Sequence, residues 1–155
     1  ASNKQLPPEL HNKLGIAVIQ QTYRAYRELL ASPRWQKLAA AGAQPQRLLV
    51  ASTGTKDPNA SDTLYISALA APDTIDTMPE KTLLALADHG QLNGVMPEDG
   101  GDADATVAKI TAAGVDIDAL ALKLQQDGAQ AFVKSWHQLL QRLADKVGSL
   151  GAAKA

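Results

Sequence analysis

The chain has 155 residues, with 15 Lys+Arg against 16 Asp+Glu for a net charge of -1, 45% hydrophobic and 20% charged residues, and no cysteine. That balance excludes overall disorder, a clustered basic footprint for nucleic acid, any disulfide or thiolate zinc site, and a cysteine nucleophile. No apolar run approaches the roughly 20 residues that span a bilayer, and Ala1-Ser2-Asn3-Lys4-Gln5 lacks the apolar stretch of a secretory leader, so a cytoplasmic protein without a membrane partner is expected.

Aromatics are only 4% and the apolar mass is mostly Ala and Leu, which predicts a helix-rich fold. Pro7-Pro8-Glu9 is a favourable first turn, and Ile16, Ile19, Tyr23, Tyr26 and Leu30 then recur at helical spacing, with Gln20, Arg24 and Arg27 on the other side. This predicts one amphipathic helix of about six turns. Ser32-Pro33 interrupts it, and a shorter helix runs through Trp35 and Leu38 to Gly42. The texture changes at Arg47-Leu48-Leu49-Val50-Ala51-Ser52, an apolar run without alternation that reads as a strand buried on both faces.

Thr53 to Pro58 is a loop, and Ser61 and Asp62 are candidate caps for a helix carrying Leu64, Tyr65, Ala68 and Leu69. Thr74 to Thr77 reads as a second short strand, and Met78-Pro79-Glu80 leads into a helix ending at Gly90. Strand, helix, strand, helix at this spacing predicts a parallel α/β unit. Gly94 to Gly101 is the least structured stretch. Three helical segments follow, near 102–113, 116–126 and 129–147, separated by Gly114 and Gly128, and 149–155 reads as a flexible tail. On the last segment Ala131, Phe132, Ser135, Trp136, Leu139, Leu140 and Leu143 form one apolar face suited to core packing.

The chain has no GxGxxG, no phosphate loop ending in Gly-Lys-Ser/Thr, no HExxH and no calcium-loop pattern. His11, His89 and His137 lie on separate helical segments without metal-ligand spacing, so no metal is expected. His89, in the last turn before Gly90, suits the negative end of a helix dipole. Lys56 stands out because it follows a buried strand and precedes a capped helix. Loops after parallel strands are the functional end of such folds, and backbone N–H groups together with a lysine can hold a phosphate dianion. The alternative is a solvent-exposed lysine in a tight turn. A Schiff-base role would need a depressed pKa, which a close Asp57 would oppose.

The blocks Gln46 to Pro58, Ser61 to Tyr65, Asp76-Thr77-Met78-Pro79-Glu80, Ala87-Asp88-His89-Gly90 and Ala131 to Trp136 resemble the C-terminal part of transaldolases. The likeness extends from about Leu10 to Leu143 and is nearest the bacterial group that includes transaldolase fused to glucose-6-phosphate isomerase. Two positions depart from the family pattern: Val50 stands where tryptophan is usual and Asp76 where asparagine is usual, the latter bringing a carboxylate toward the expected phosphate.

The resemblance implies a (β/α)8 TIM barrel that moves a dihydroxyacetone unit between sugar phosphates of the pentose phosphate pathway. The reaction runs through a lysine Schiff base, without metal or organic cofactor. It makes the two strands here the last two of the barrel and residues 1–148 one C-terminal piece. No catalytic residue then falls in this chain, which is expected to be inactive alone. Lys56, Ser52 and Thr53 become the substrate phosphate-binding residues. Two strands cannot close a barrel, and each strand-edge group buried without a partner costs about 1 to 3 kcal/mol. The expected partners are therefore a sugar phosphate and either a complementary N-terminal segment or a second copy. The alternatives are a non-catalytic helical interaction module derived from the family, and a helical ligand-binding protein unrelated to it.

Overall fold

A computed structural model describes residues 6–92 and 94–152. A 3-10 turn at Pro8–Leu10 is followed by α1 (Lys13–Ala31), α2 (Pro33–Ala40), β1 (Leu48–Val50), α3 (Leu64–Leu69), β2 (Thr74–Asp76), α4 (Glu80–His89), α5 (Ala103–Ala112) and α6 (Ile117–Ala152). The two strands pair in parallel with Leu48 beside Thr74, Leu49 beside Ile75 and Val50 beside Asp76. The fold is thus helix-rich α/β with a two-stranded parallel sheet, as expected. The chain divides into two units, one up to Ala113 and one from Gly114, and α6 is the single long element of the second.

The core of the first unit lies between α1, α3 and one face of the sheet. Tyr23, Val50, Leu69 and Met96 are buried there, with Ile16, Ile19, Tyr26, Leu48 and Tyr65 packed around them. The apolar stripe read from the sequence of α1 is the face that makes this contact. A second seam joins α1 to α5, where the buried alanines Ala17 and Ala103 let the helices approach and Ile110 is fully buried. On the polar side of α1, Arg24 bonds both carboxylate oxygens of Asp104, at 2.8 and 3.2 Å, while Arg27 bridges Asp73 and Glu98. The arginines on the other side of the stripe are thus half-buried fasteners.

Several elements depart from the sequence expectation, each for a local reason. The first helix starts at Lys13, because Asn12 adopts a left-handed backbone (φ 61). Asparagine tolerates that conformation, and its amide donates to Asp57 Oδ2 at 2.7 Å. Ser61 and Asp62 do not cap α3 as expected. The cap position is Thr63, Ser61 Oγ accepts from the Thr63 N–H, and Asp62 pairs with His89.

β1 is buried on one face only. Val50 is 2% exposed but Leu49 is 51% exposed, and its neighbour Ile75 is 41% exposed, because the helices of this unit cover a single side of the pair. The loop before α5 holds no regular element, yet Met96 is docked in the core and its N–H donates to the Ala70 carbonyl at 2.8 Å.

The largest departure is α6. Gly128 costs only about 1 kcal/mol in a helix interior, and its Ala, Leu, Gln and Lys neighbours carry the helix through 36 residues. Gly114 does separate helices, with φ 92 just beyond α5. Residues 149–152, read as part of a tail, continue α6, while 153–155 and 1–5 lie outside the described residues. The apolar face expected to pack in a core is exposed, Phe132 at 81% and Trp136 at 57%. Among the described residues no helix is long and apolar enough to cross a membrane.

Candidate functional site

Both strands run the same way, so the loops after Val50 and after Asp76 emerge at one end of the sheet. Side chains alternate between faces along a strand. Leu49 and Ile75 thus share the open face, and Val50 and Asp76 share the face turned to the helices. The register with Val50 therefore turns Asp76 to the packed face of the sheet. Its carboxylate lies beside Val50, on the packed side, and meets the loop after β1 through Thr53.

Ser52, the first of the three candidate phosphate residues, is exposed and left-handed (φ 61). A non-glycine residue in that region costs about 1 to 2 kcal/mol, which the surrounding structure must offset. A left-handed residue within a loop also turns neighbouring amides toward a common side, an arrangement that binds anions. Among the hydrogen bonds of the described residues, none uses the backbone N–H of Ser52, Thr53, Gly54, Thr55 or Lys56 as donor. Among the described residues, five consecutive amides are therefore unspent at the carboxyl end of the sheet. Lys56 is exposed and in no ion pair among those residues. Asp57 does not neutralise it: the Asp57 carboxylate is held by Asn12 and by the Asn59 N–H, and these bonds lower its pKa from the ordinary value.

Thr53 is 2% exposed, and its hydroxyl lies 2.9 Å from Asp76 Oδ1 and 3.0 Å from the Thr77 carbonyl oxygen. That hydroxyl faces inward and leaves only the main chain of Thr53 toward a ligand. Burial pushes the Asp76 carboxyl up from its ordinary pKa. Asp76 Oδ2 and Thr55 Oγ1 are buried without a hydrogen-bond partner. Gly54 shapes the loop from the other side: a Cβ there would stand 3.1 Å from Pro79 Cγ and 3.6 Å from Thr82 Oγ1, so the loop rests directly on the start of α4.

The histidines remain apart. His11 Nε2 meets the Leu6 carbonyl at 3.0 Å, and His137 is exposed on α6. His89 lies between Asp62 and Asp88 at 3.0 Å each, and bonds to both carboxylates raise its pKa. Among the described residues no group of three or more His, Asp or Glu is placed to hold a metal ion. A groove of about 720 Å³ runs between the 3-10 turn, α1, α3 and α5, lined by Leu10, Ile16, Lys13 and Lys109 among others. It includes neither Ser52, Thr53 nor Lys56. No lysine stands on β1 or β2.

The sequence singled out Lys56 and its neighbours but missed the Thr53 to Asp76 contact. Strand register brings those residues together across 23 positions, and neither composition nor periodicity reports register. The Asn12 to Asp57 clamp was likewise invisible, since a left-handed asparagine leaves no periodic signal.

A sequence model of the Transaldolase/Fructose-6-phosphate aldolase family matches residues 1–143. The chain is 49% identical over 144 residues to a protein named Transaldolase from Frankia alni, covering 92% of this chain and 38% of that protein. Its identity is 44% over 146 residues to the Transaldolase of Mycolicibacterium smegmatis (94% and 38%) and 43% over 141 residues to that of Thermobifida fusca (90% and 38%). The chain thus spans about 38% of the length of these curated relatives.

Proposed function

Because the chain belongs to the transaldolase/fructose-6-phosphate aldolase family, we propose that it supplies the phosphate-holding end of a transaldolase site, in which a dihydroxyacetone unit passes between sugar phosphates. The observation that carries this reading is the run of unspent amides from Ser52 to Lys56 at the carboxyl end of β1, with the exposed Lys56 ammonium at its close. Ser52 offers its hydroxyl and amide, Thr53 and Gly54 their amides, and Lys56 its charge to the same dianion. Phosphate sites after the last strands of (β/α)8 barrels use this kind of loop.

Residues 1–148 act in this reading as one barrel piece. The Schiff-base amine comes from another segment, since β1 and β2 carry no lysine. The open sheet face at Leu49 and Ile75 and the two outer strand edges are where a complementary N-terminal segment, or a second copy, completes the barrel. The setting is soluble carbohydrate metabolism in the cytoplasm, with no cofactor beyond the protein.

Calorimetric titration with a sugar phosphate tests the reading. Lys56→Ala removes a charge-assisted bond of about 1.5 to 3 kcal/mol, so affinity should fall roughly ten- to hundredfold. Equal affinity in both proteins contradicts it. A second reading, a non-catalytic helical module, rests on the exposed Phe132 and Trp136 stripe of α6; it predicts no saturable binding of the sugar phosphate to either protein.

A further inference from the structure

The contacts around Thr53 pose a proton-counting problem. Its hydroxyl oxygen has one hydrogen and two oxygen neighbours, Asp76 Oδ1 at 2.9 Å and the Thr77 carbonyl at 3.0 Å. A carbonyl only accepts, and an ionised carboxylate only accepts. With Asp76 ionised, one of the two contacts has no hydrogen in it and sets lone pairs against each other. The second carboxylate oxygen, Oδ2, would also carry its share of the charge while buried without a donor. With Asp76 neutral, every contact is filled: the acid O–H donates to Thr53 Oγ1, and the Thr53 O–H donates to the Thr77 carbonyl.

We propose that Asp76 is carried as the neutral acid and is a positioning residue, fixing through Thr53 the loop whose amides face the anion. This role rests on the anion-loop reading given above; the protonation itself does not.

The surroundings agree. Asp76 is raised from the ordinary aspartate value by burial, and among the described residues no charged side chain acts on it; Thr53 is the one polar group that does. A Thr53 hydroxyl donating to the carboxylate would pull the other way, but that arrangement leaves the Thr77 contact without a hydrogen. Asp76 closes β2, its register partner Val50 closes β1, and Thr53 stands three residues beyond Val50. The acid thus joins the two loops that leave the same end of the sheet. Ionisation removes the acid's O–H, so the single Thr53 hydrogen is left between two acceptors, Asp76 Oδ1 and the Thr77 carbonyl, and the hold on Thr53 and the amides that follow it weakens.

The test uses the full 155-residue chain and two readouts. In infrared spectra, the carbonyl stretch of a protonated carboxylic acid should persist at about pH 5, where an ordinary aspartate is ionised, and Asp76→Asn should remove it. Thr53→Val, which takes away the acid's acceptor, should move loss of the band to lower pH; if Thr53 donates to the carboxylate, the band moves the other way and the proposal fails. In calorimetry with sulfate, an anion of constant charge over about pH 4 to 8, wild-type affinity should fall several-fold as pH rises through the titration of the band. Asp76→Asn, whose amide donates to Thr53 at every pH, should stay level. A band in wild type with no sulfate affinity in either protein overturns the positioning role and the anion loop, leaving the neutral acid. Sulfate affinity with no band above the ordinary aspartate range overturns the neutral acid and leaves the loop reading intact.

Discussion

Gly54→Ala tests whether the shape of the loop after β1 is set by its seat on α4. The added Cβ would stand 3.1 Å from Pro79 Cγ, 3.4 Å from Pro79 Cδ and 3.6 Å from Thr82 Oγ1. Pro79 occupies the cap position of α4 and Thr82 is buried, so neither can swing aside as a flexible side chain would. Overpacking of this kind costs about 1 to 3 kcal/mol. Alanine also narrows the unfolded ensemble and returns about 0.4 to 1 kcal/mol, for a net loss of roughly 1 kcal/mol. With a urea m-value of about 2 kcal/mol/M, the unfolding midpoint should fall by about 0.5 M. Sulfate affinity should fall with it, because the loop can relieve the contact only by lifting its amides. An unchanged or higher midpoint with unchanged affinity would refute the reasoning, since it would mean that the loop does not rest on Pro79.

Other substitutions probe the frame that holds the loop. A Cβ at Gly90 would collide with Leu86 at the end of α4, so Gly90→Ala should destabilise by about 1 to 3 kcal/mol in urea melts. Tyr23→Phe removes a hydroxyl that donates to the Pro72 carbonyl at 3.3 Å and should cost about 0.5 to 1.5 kcal/mol by the same assay. His89 is raised by its bonds to Asp62 and Asp88. A raised folded-state pKa adds stability that is complete below the unfolded value of about 6.5 and is lost as pH rises through the folded value. An NMR titration should therefore place the His89 midpoint above ordinary histidine, and Asp62→Asn should lower it; a midpoint at or below the ordinary value would remove the double contact. Trp136→Ala, at an exposed position on α6, should leave the free energy of unfolding within about 0.5 kcal/mol of wild type in urea melts.

The parts legible in the sequence were those written in local pattern. The α1 stripe of Ile16, Ile19, Tyr23 and Tyr26 gave the helix and the face it buries, and the apolar run at Leu48 to Val50 gave a strand. The loop at Thr53 to Pro58 was visible as a turn signal between a strand and a helix, although it begins earlier, with Ser52 already left-handed after a strand that ends at Val50. What escaped depended on pairing at a distance. Burial of both strand faces is not met within this chain, because an unalternating run reports hydrophobicity and not how many layers the chain itself supplies to cover it. Gly128 was read as a break because glycine weakens helices, but one weak position does not outweigh a long stretch of strong formers. Asp76 stands out in the sequence only as a carboxylate where the family has asparagine; the face it takes and its contact with Thr53 follow from the register with Val50, which no local pattern reports.

The most direct measurement for the account is an amide NMR titration of the full chain with inorganic phosphate. The account predicts that the resonances of Ser52, Thr53, Gly54, Thr55 and Lys56 move together, saturate with one affinity, and lose that response in Lys56→Ala. Saturable shifts confined to the groove beside Lys13 and Lys109, or no saturable shift at any amide, would contradict it.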